Sequence, residues 1–183
     1  MNKLLLASLL VAFVLGSCKS PEARRPVTVS SGSFIQESIE RNQERIEQET
    51  SLIEQIIKAD STKIYTASQS GFWYSYTKKD SLAIGLKPKI GDKVIFDYQI
   101  SDLYGTVIYS KDQLSPKTYV IDKEELISGL RDALKMMQVG ESLDLILPSF
   151  KAYGYYGDQD RIGVNVPLQI AITLKNLEPT IIN

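Results

Sequence analysis

The side chains best suited to chemistry lie in one short segment, Leu147–Gly157, with the sequence LPSFKAYGYYG. Three tyrosines and two glycines follow a proline, and one lysine is the only charged residue. Tyrosine hydroxyls donate and accept hydrogen bonds while their rings form apolar walls, so this segment could hold a bound ligand. The alternative is an exposed loop whose aromatic side chains bind nothing.

Composition excludes several classes of catalytic site. The 183 residues include no histidine and a single cysteine, Cys18. Serine–histidine and cysteine–histidine catalysis are therefore excluded within this chain, and the commonest zinc ligand is missing. The net charge of −1 gives no basic surplus of the kind that binds nucleic acid. We expect no metal, no cofactor and no nucleic-acid partner.

The N-terminus has the pattern of an export signal. Lys3 precedes a twelve-residue apolar run, Leu4–Leu15, which is too short to span a bilayer as a helix. The run ends in LGSC, which is similar to a bacterial lipobox, where the cysteine becomes the lipidated first residue. We predict a signal peptide at 1–17 and a lipoprotein of the cell envelope, held on the periplasmic face of a membrane through Cys18. An ordinary secretory signal with a chance cysteine is the alternative.

Two segments separate this signal from the rest of the chain. Residues 18–32 combine proline, serine and charge without periodicity, which predicts a tether. Residues 33–60 place isoleucines in a seven-residue register that Asn42 and Glu49 interrupt. We therefore predict a mostly solvated helix that acts as a rigid spacer, with weak self-association along the isoleucine stripe as the alternative. The stripe consists of Ile35, Ile39, Ile46, Ile53 and Ile56.

From about Gly71 onward the apolar period changes from that of a helix to that of a strand. One helix interrupts the strands, in DKEELISGLRDALKMM, where Asp122 and Glu125 have the spacing of a helix cap. We predict an α+β domain at 61–183, with an antiparallel sheet and one covering helix. The predicted core positions of the strands are Phe72, Tyr74, Tyr76, Val94, Phe96, Tyr98, Ile100, Leu143, Leu145, Leu147, Leu168, Ile170, Ile172 and Leu174, and those of the helix are Ile127, Leu130, Leu134 and Met137.

The order of these motifs resembles the FKBP-type peptidyl-prolyl isomerases from about Gly71 to Leu177. Four pieces carry the resemblance: GDKVIFDYQISDLYGTVIYS, KEELISGLRDALKMMQVGE, LPSFKAYGYYG and IGVNVPLQIAITL. It implies an FKBP-like antiparallel sheet wrapped on one central helix, here preceded by the helical spacer. The order of lipobox, helix and domain, with phrases such as SGSFIQESIERN, also resembles family lipoproteins associated with gliding motility in gliding bacteria.

The resemblance assigns roles to nine positions. It implies that Tyr98 forms one wall of a proline pocket, that the backbone N–H of Ile127 binds a substrate carbonyl, and that the Tyr153 hydroxyl donates to another. Without the resemblance, Tyr153 could equally be a rim tyrosine that satisfies a loop carbonyl. The remaining substrate-binding positions are Leu126, Leu130, Ile108, Tyr109, Ile162 and Ile170.

Three departures from the family pattern affect the expected pocket. Leu130 replaces a large floor residue, commonly tryptophan, which implies a roomier or shallower floor. Ile108 and Tyr109 replace a common Phe-Asp pair, so a polar contact often used in the family is lost. The loop 155–161 also differs, and substrate preference could differ there.

The resulting hypothesis is a lipid-anchored prolyl isomerase that assists the folding of proline-containing exported or envelope proteins. Rotation about an X-Pro amide breaks no covalent bond, so a chain without histidine or metal is competent for it. One alternative is a non-catalytic module that binds proline segments in a motility or secretion assembly. Another is an unrelated small β-barrel lipoprotein that carries a hydrophobic ligand.

Overall fold

The structure is a computed structural model, and it describes residues 31–79, 85–114 and 116–180. The chain divides into two compact units, Met1–Ile39 and Glu40–Asn183. Of the first unit, only residues 31–39 are described, and they are helical. The predicted signal peptide and Cys18 lie outside the described residues. Within the described ranges, no helix is both long enough and apolar enough to cross a membrane.

A seven-stranded antiparallel sheet forms the framework of the second unit. The strands follow the order β1-β2-β6-β7-β3-β4, and β5 pairs with β3 beside β4. The long central strands β3 and β7 pair over nearly their whole length, as the alternating apolar pattern of each predicts. The strands are β1 (Thr66–Ala67), β2 (Trp73–Lys78), β3 (Lys93–Ser101), β4 (Val107–Tyr109), β5 (Lys117–Val120), β6 (Ser142–Leu147) and β7 (Leu168–Glu178).

One face of the sheet holds the main hydrophobic core. The predicted core positions on β3, β6 and β7 are all buried, as is Phe72, which immediately precedes β2. Tyr74 and Tyr76 are partly buried and pack against this core. The α+β prediction and the prediction of which strand residues face inward are therefore confirmed.

The helix that covers this core is shorter than predicted. It begins at Ser128 and ends at Leu134, and we call it α3; the short α2 spans Lys111–Leu114. The predicted cap at Asp122 is wrong, because Asp122 has a positive φ of 57° and lies in a turn before the helix. Ile127 occupies the position before the first helical residue, with extended backbone angles. Leu130, Leu134 and Met137 are buried as predicted.

The N-terminal helix α1 spans Ser31–Ala59. Its part within the second unit is not a simple solvated spacer, because Ile53 is fully buried against Leu103 and Ile146. Ile146 alternates along β6 with the core-facing Leu145 and Leu147, so this cluster lies on the other face of the sheet. Ile35, Ile39 and Ile46 are exposed, as expected for a solvated helix, whereas Ile56 is half-buried and packs against the same cluster as Ile53. Sequence periodicity could not show that one isoleucine of the stripe would find a partner in the sheet.

Candidate functional site

The loop that follows β6 is built from two tight turns. A 3-10 turn spans Ser149–Lys151, and a second spans Gly154–Tyr156, with Tyr153 immediately before it. Gly154 and Gly157 both have positive φ, at 59° and 64°. A Cβ at Gly157 would meet the Ile162 carbonyl oxygen at 2.3 Å, so any other residue there would force the loop to move. These glycines explain why the tyrosine-rich segment can fold back on itself.

Five predicted site residues line one cavity of about 600 Å³. Tyr98 comes from the middle of β3, Leu126 and Ile127 from the segment before α3, Leu130 from α3, and Tyr153 from the loop after β6. Ala152, Gly157 and the exposed Tyr156 complete the apolar part of the lining. The fold therefore gathers side chains that lie up to 55 positions apart, from residue 98 to residue 153.

Two of the hydrogen-bond donors at this cavity are the Ile127 N–H and the Tyr153 hydroxyl. Within the described part of the chain, the N–H of Ile127 donates to no other protein group. The carbonyl of Ile127, in contrast, accepts the N–H of Arg131 at 3.1 Å and so closes the first turn of α3. The Tyr153 hydroxyl likewise forms no hydrogen bond with a group of the described residues. A ligand carbonyl in the cavity would satisfy either group.

The tyrosines of the cavity stay protonated over a wide pH range. Burial, followed by the proximity of Tyr98 and Asp158, raises the pKa of Tyr153 to about 12. Burial also raises the pKa of Tyr98. The phenol form is the one that donates a hydrogen bond, so Tyr153 is a donor at any pH that a living cell maintains.

Charged side chains surround the cavity as well, and the sequence analysis did not single them out. Lys117 and Arg131 contribute positive charge, and the exposed Glu124 and Glu125 contribute negative charge. The Nε of Arg131 lies 3.5 Å from one carboxylate oxygen of Asp122, and the other oxygen of Asp122 lies 2.7 Å from the Nζ of Lys135. No residue pattern distinguishes these charges from an ordinary solvated surface before the fold is known.

The other four predicted substrate-binding residues do not line this cavity. Ile162 and Ile170 are almost completely buried in the core beneath it, with exposed fractions of 3% and 1%. Ile108 and Tyr109, on β4, are half-buried and pack against the same core. These four side chains support the cavity wall, and their contact with substrate stays a prediction.

Tyr109 joins β4 to the loop 155–161. Its hydroxyl donates to Asp158 at 2.5 Å and to Asp160 at 3.1 Å, and its ring lies 5.0 Å from the guanidinium of Arg161. The bond to Asp158, with a smaller contribution from burial, raises the pKa of Tyr109 to about 12. Burial acts to raise the pKa of Asp158, but hydrogen bonds from Tyr109 and from backbone N–H groups outweigh it and lower that pKa. Tyr109 thus attaches β4 to two carboxylates of the loop, neither of which lines the cavity.

Across residues 31–79, 85–114 and 116–180, no three acidic side chains come close enough together to hold a metal ion.

Comparisons with known proteins agree with this geometry. Residues 85–175 match the family model of FKBP-type peptidyl-prolyl cis-trans isomerases. The fold is similar to that of a peptidyl-prolyl cis-trans isomerase from Pseudomonas syringae pv. tomato, with a TM-score of 0.57 and 24% identity over 73% of this chain and 96% of that one. It is also similar to FkpA from Escherichia coli, with a TM-score of 0.59 and 23% identity over 98% of this chain and 83% of that one.

The comparison with curated proteins gives no match. The two solved structures support the fold, and the family model supports the activity, because it spans β3 to β7 and every cavity residue named above. Through the domain at residues 85–175, the chain belongs to the FKBP-type peptidyl-prolyl cis-trans isomerases.

Proposed function

We propose that the cavity between Tyr98 and Tyr153 accelerates cis–trans exchange of X-Pro bonds in exported proteins, and that lipid on Cys18 holds the enzyme at a membrane. The proposed catalysis is supported by two donors that have no partner among the described residues, the Ile127 N–H and the Tyr153 hydroxyl. Both lie beside the apolar walls of the cavity. The anchoring half is supported by the lipobox-like LGSC that ends at Cys18.

The catalytic step follows from the physics of the amide bond. Rotation must pass a barrier of about 18–20 kcal/mol, because resonance makes the C–N bond partly double. The planar, charge-separated amide loses solvation when it enters an apolar cavity, while the twisted form loses less. Donors placed for the twisted peptide then stabilise the transition state more than the ground state. Neither a nucleophile nor a proton transfer is required.

Each of the five predicted site residues at the cavity has a role in this scheme. Tyr98, Leu126 and Leu130 remove water from the proline ring and the amide. The Ile127 N–H binds a carbonyl of the peptide and fixes its direction. The Tyr153 hydroxyl binds a second carbonyl of the peptide. The charges of Glu124, Glu125, Lys117 and Arg131 at the mouth would influence which residues flank the preferred proline.

The client proteins are proposed to be exported or envelope polypeptides, since the signal predicted at 1–17 would carry the enzyme out of the cytoplasm. Components of a gliding-motility apparatus are the finer proposal, supported by the resemblance of the lipobox, helix and domain order to such lipoproteins. A non-catalytic module that grips proline segments is the second candidate. The exposed rings of Tyr155 and Tyr156 beside the cavity favour it, because they could hold a peptide without any turnover.

A refolding experiment with matched anchoring variants tests the proposal. Full-length chain, added to an exported protein whose refolding is limited by an X-Pro bond, is expected to accelerate the slow phase. In cells, the parent chain is expected in the membrane fraction and the Cys18→Ser variant outside it. A parent chain that slows or ignores the refolding phase but still binds the client would support the binding module. An unchanged distribution of Cys18→Ser would refute the lipid anchor.

A further inference from the structure

A buried carboxylate of helix α1 reaches the loop that carries Tyr153. Glu49 is only 8% exposed and Ser149 only 4%, although both are polar residues. One oxygen of Glu49 accepts the backbone N–H of Ser149 at 2.8 Å, and the other accepts the Ser149 hydroxyl at 2.7 Å. The two residues are 100 positions apart. Buried polar groups of this kind are costly unless both partners are present, so the contact holds the helix and the loop together.

Ser149 is the first residue of the 3-10 turn that leads to Tyr153. The turn closes through the Ala152 N–H, which donates to the carbonyls of Pro148 and Ser149. A shift of Ser149 would therefore move the turn as a unit and displace the tyrosine that follows it. Helix α1 is itself fixed one turn further along by the fully buried Ile53.

Two further attachments of the loop come from inside the family-matched residues. Lys151 binds Asp132 of α3 at 3.0 Å, and the Gly154 carbonyl accepts the Asn165 N–H at 2.8 Å. Both hold the loop downstream of Ser149. Glu49, in contrast, lies before the family-matched residues 85–175 and ties the loop to helix α1.

We propose that Glu49 is a positioning residue of the isomerase: it places Tyr153 through Ser149 and makes the site dependent on the N-terminal helix. The inference rests on the proposed function for its kinetic consequence, but the placement of Tyr153 can be measured without turnover. A domain that lacks residues before Ser61 would retain every cavity residue and still have a displaced tyrosine.

Three variants and one control test this role in the full-length chain. Glu49→Ala removes both acceptors and leaves two buried donors of Ser149 without partners. Glu49→Gln keeps the shape, since its amide oxygen can accept the N–H while its amide nitrogen donates to the serine oxygen. Ser149→Ala removes only the hydroxyl bond and is a milder change if Glu49→Ala folds poorly. Glu54→Ala alters an exposed glutamate of the same helix and serves as the control.

The measurements are kcat/KM for an X-Pro peptide and the ring resonances of Tyr153, both well below the unfolding temperature. We expect Glu49→Ala to lower kcat/KM by about tenfold and to shift or broaden the Tyr153 signals. Glu49→Gln should keep most of the parent's kcat/KM and nearly the parent's Tyr153 signals. Ser149→Ala should lie between Glu49→Ala and the parent in both measurements, and Glu54→Ala should match the parent. A parent chain without any activity would overturn the proposed function, and the Tyr153 signals would still decide the positioning role. Unchanged Tyr153 signals in folded Glu49→Ala and Ser149→Ala would overturn the positioning role, even if both variants were less stable.

Discussion

Two single groups at the cavity, a hydroxyl and a backbone N–H, are hydrogen-bond donors that the described protein leaves unused. Tyr153 and Ile127 both lie at the cavity, and neither the hydroxyl nor the N–H is paired with a described protein group. Leaving a donor unpaired is unfavourable in a closed core but acceptable in an open cavity that water or a ligand can enter. The unused donors are therefore better explained by substrate recognition than by stability.

Tyr153→Phe separates the hydroxyl from the ring. The ring still fills the same space, so we expect an unchanged fold and a kcat/KM lower by roughly three- to tenfold, the usual value of one hydrogen bond. The measurement is the exchange rate of an X-Pro peptide at several enzyme concentrations. Tyr155→Phe is the matched control, because Tyr155 is 69% exposed and does not line the cavity. Equal rates for both variants would mean that the Tyr153 hydroxyl does not contact the substrate.

Asp158→Asn tests the link between Tyr109 and the loop 155–161. Without the carboxylate charge, the pKa of Tyr109 should fall from about 12 toward its ordinary value of 10.0. Because the folded pKa of Tyr109 lies above its ordinary value, its contribution to stability is fully present below pH 10.0. This contribution is lost as pH rises through about 12. The variant should therefore lose less stability than the parent over that interval. An alkaline titration followed by ring-carbon NMR of Tyr109 measures the shift.

Asp160→Asn is the control for this titration. Asp160 also accepts from the Tyr109 hydroxyl, but at 3.1 Å against 2.5 Å for Asp158. We expect its substitution to lower the pKa of Tyr109 by a smaller amount. A Tyr109 that still titrates at about 12 in Asp158→Asn would contradict the assigned cause.

At the scale of elements, the central prediction concerns the attachment of helix α1. Ile53→Ala removes a fully buried side chain from the cluster with Leu103 and Ile146, and we expect a loss of about 2–4 kcal/mol in the free energy of unfolding. Ile46→Ala makes the same change on the same helix at a side chain that is 41% exposed, and it should cost less than about 0.5 kcal/mol. Urea unfolding of both variants measures the difference. Equal, small losses would show that the helix is not attached through Ile53.

The elements also show what the sequence could and could not predict. Alternation along β3, β6 and β7 identified the core face correctly, because each strand has one buried side. The predicted start of α3 was wrong, because a residue spacing that resembles a helix cap at Asp122 does not reveal the positive φ of that residue. Glu49 was taken as a polar interruption of an isoleucine stripe, because a buried acceptor is recognised only when its partner, 100 positions away, is seen beside it.

At the scale of the whole molecule, the lack of histidine gives a specific pH profile. No other side chain has an ordinary pKa between about pH 5 and 8, and the donor Tyr153 stays protonated up to about 12. We therefore expect kcat/KM to be constant from about pH 6 to about pH 9. Burial raises the folded pKa of Tyr153 above 10.0, so its stabilising contribution is present below pH 10.0 and lost as pH rises through about 12. A bell-shaped profile centred near neutrality would point to a proton transfer that this account does not contain.

Catalysis at the cavity is tested most directly by the exchange rate of an X-Pro peptide in the presence of the full-length chain. The rate is measured by NMR exchange spectroscopy for the parent and for two variants of Ile127. Ile127 has a φ of −55°, which proline can adopt, so Ile127→Pro removes the N–H with little change of backbone. Ile127→Ala shortens the side chain and keeps the N–H. We predict that the parent accelerates exchange, that Ile127→Ala retains part of the acceleration, and that folded Ile127→Pro loses nearly all of it. A parent chain that shifts the peptide resonances without accelerating exchange would contradict catalysis at this cavity and leave only binding.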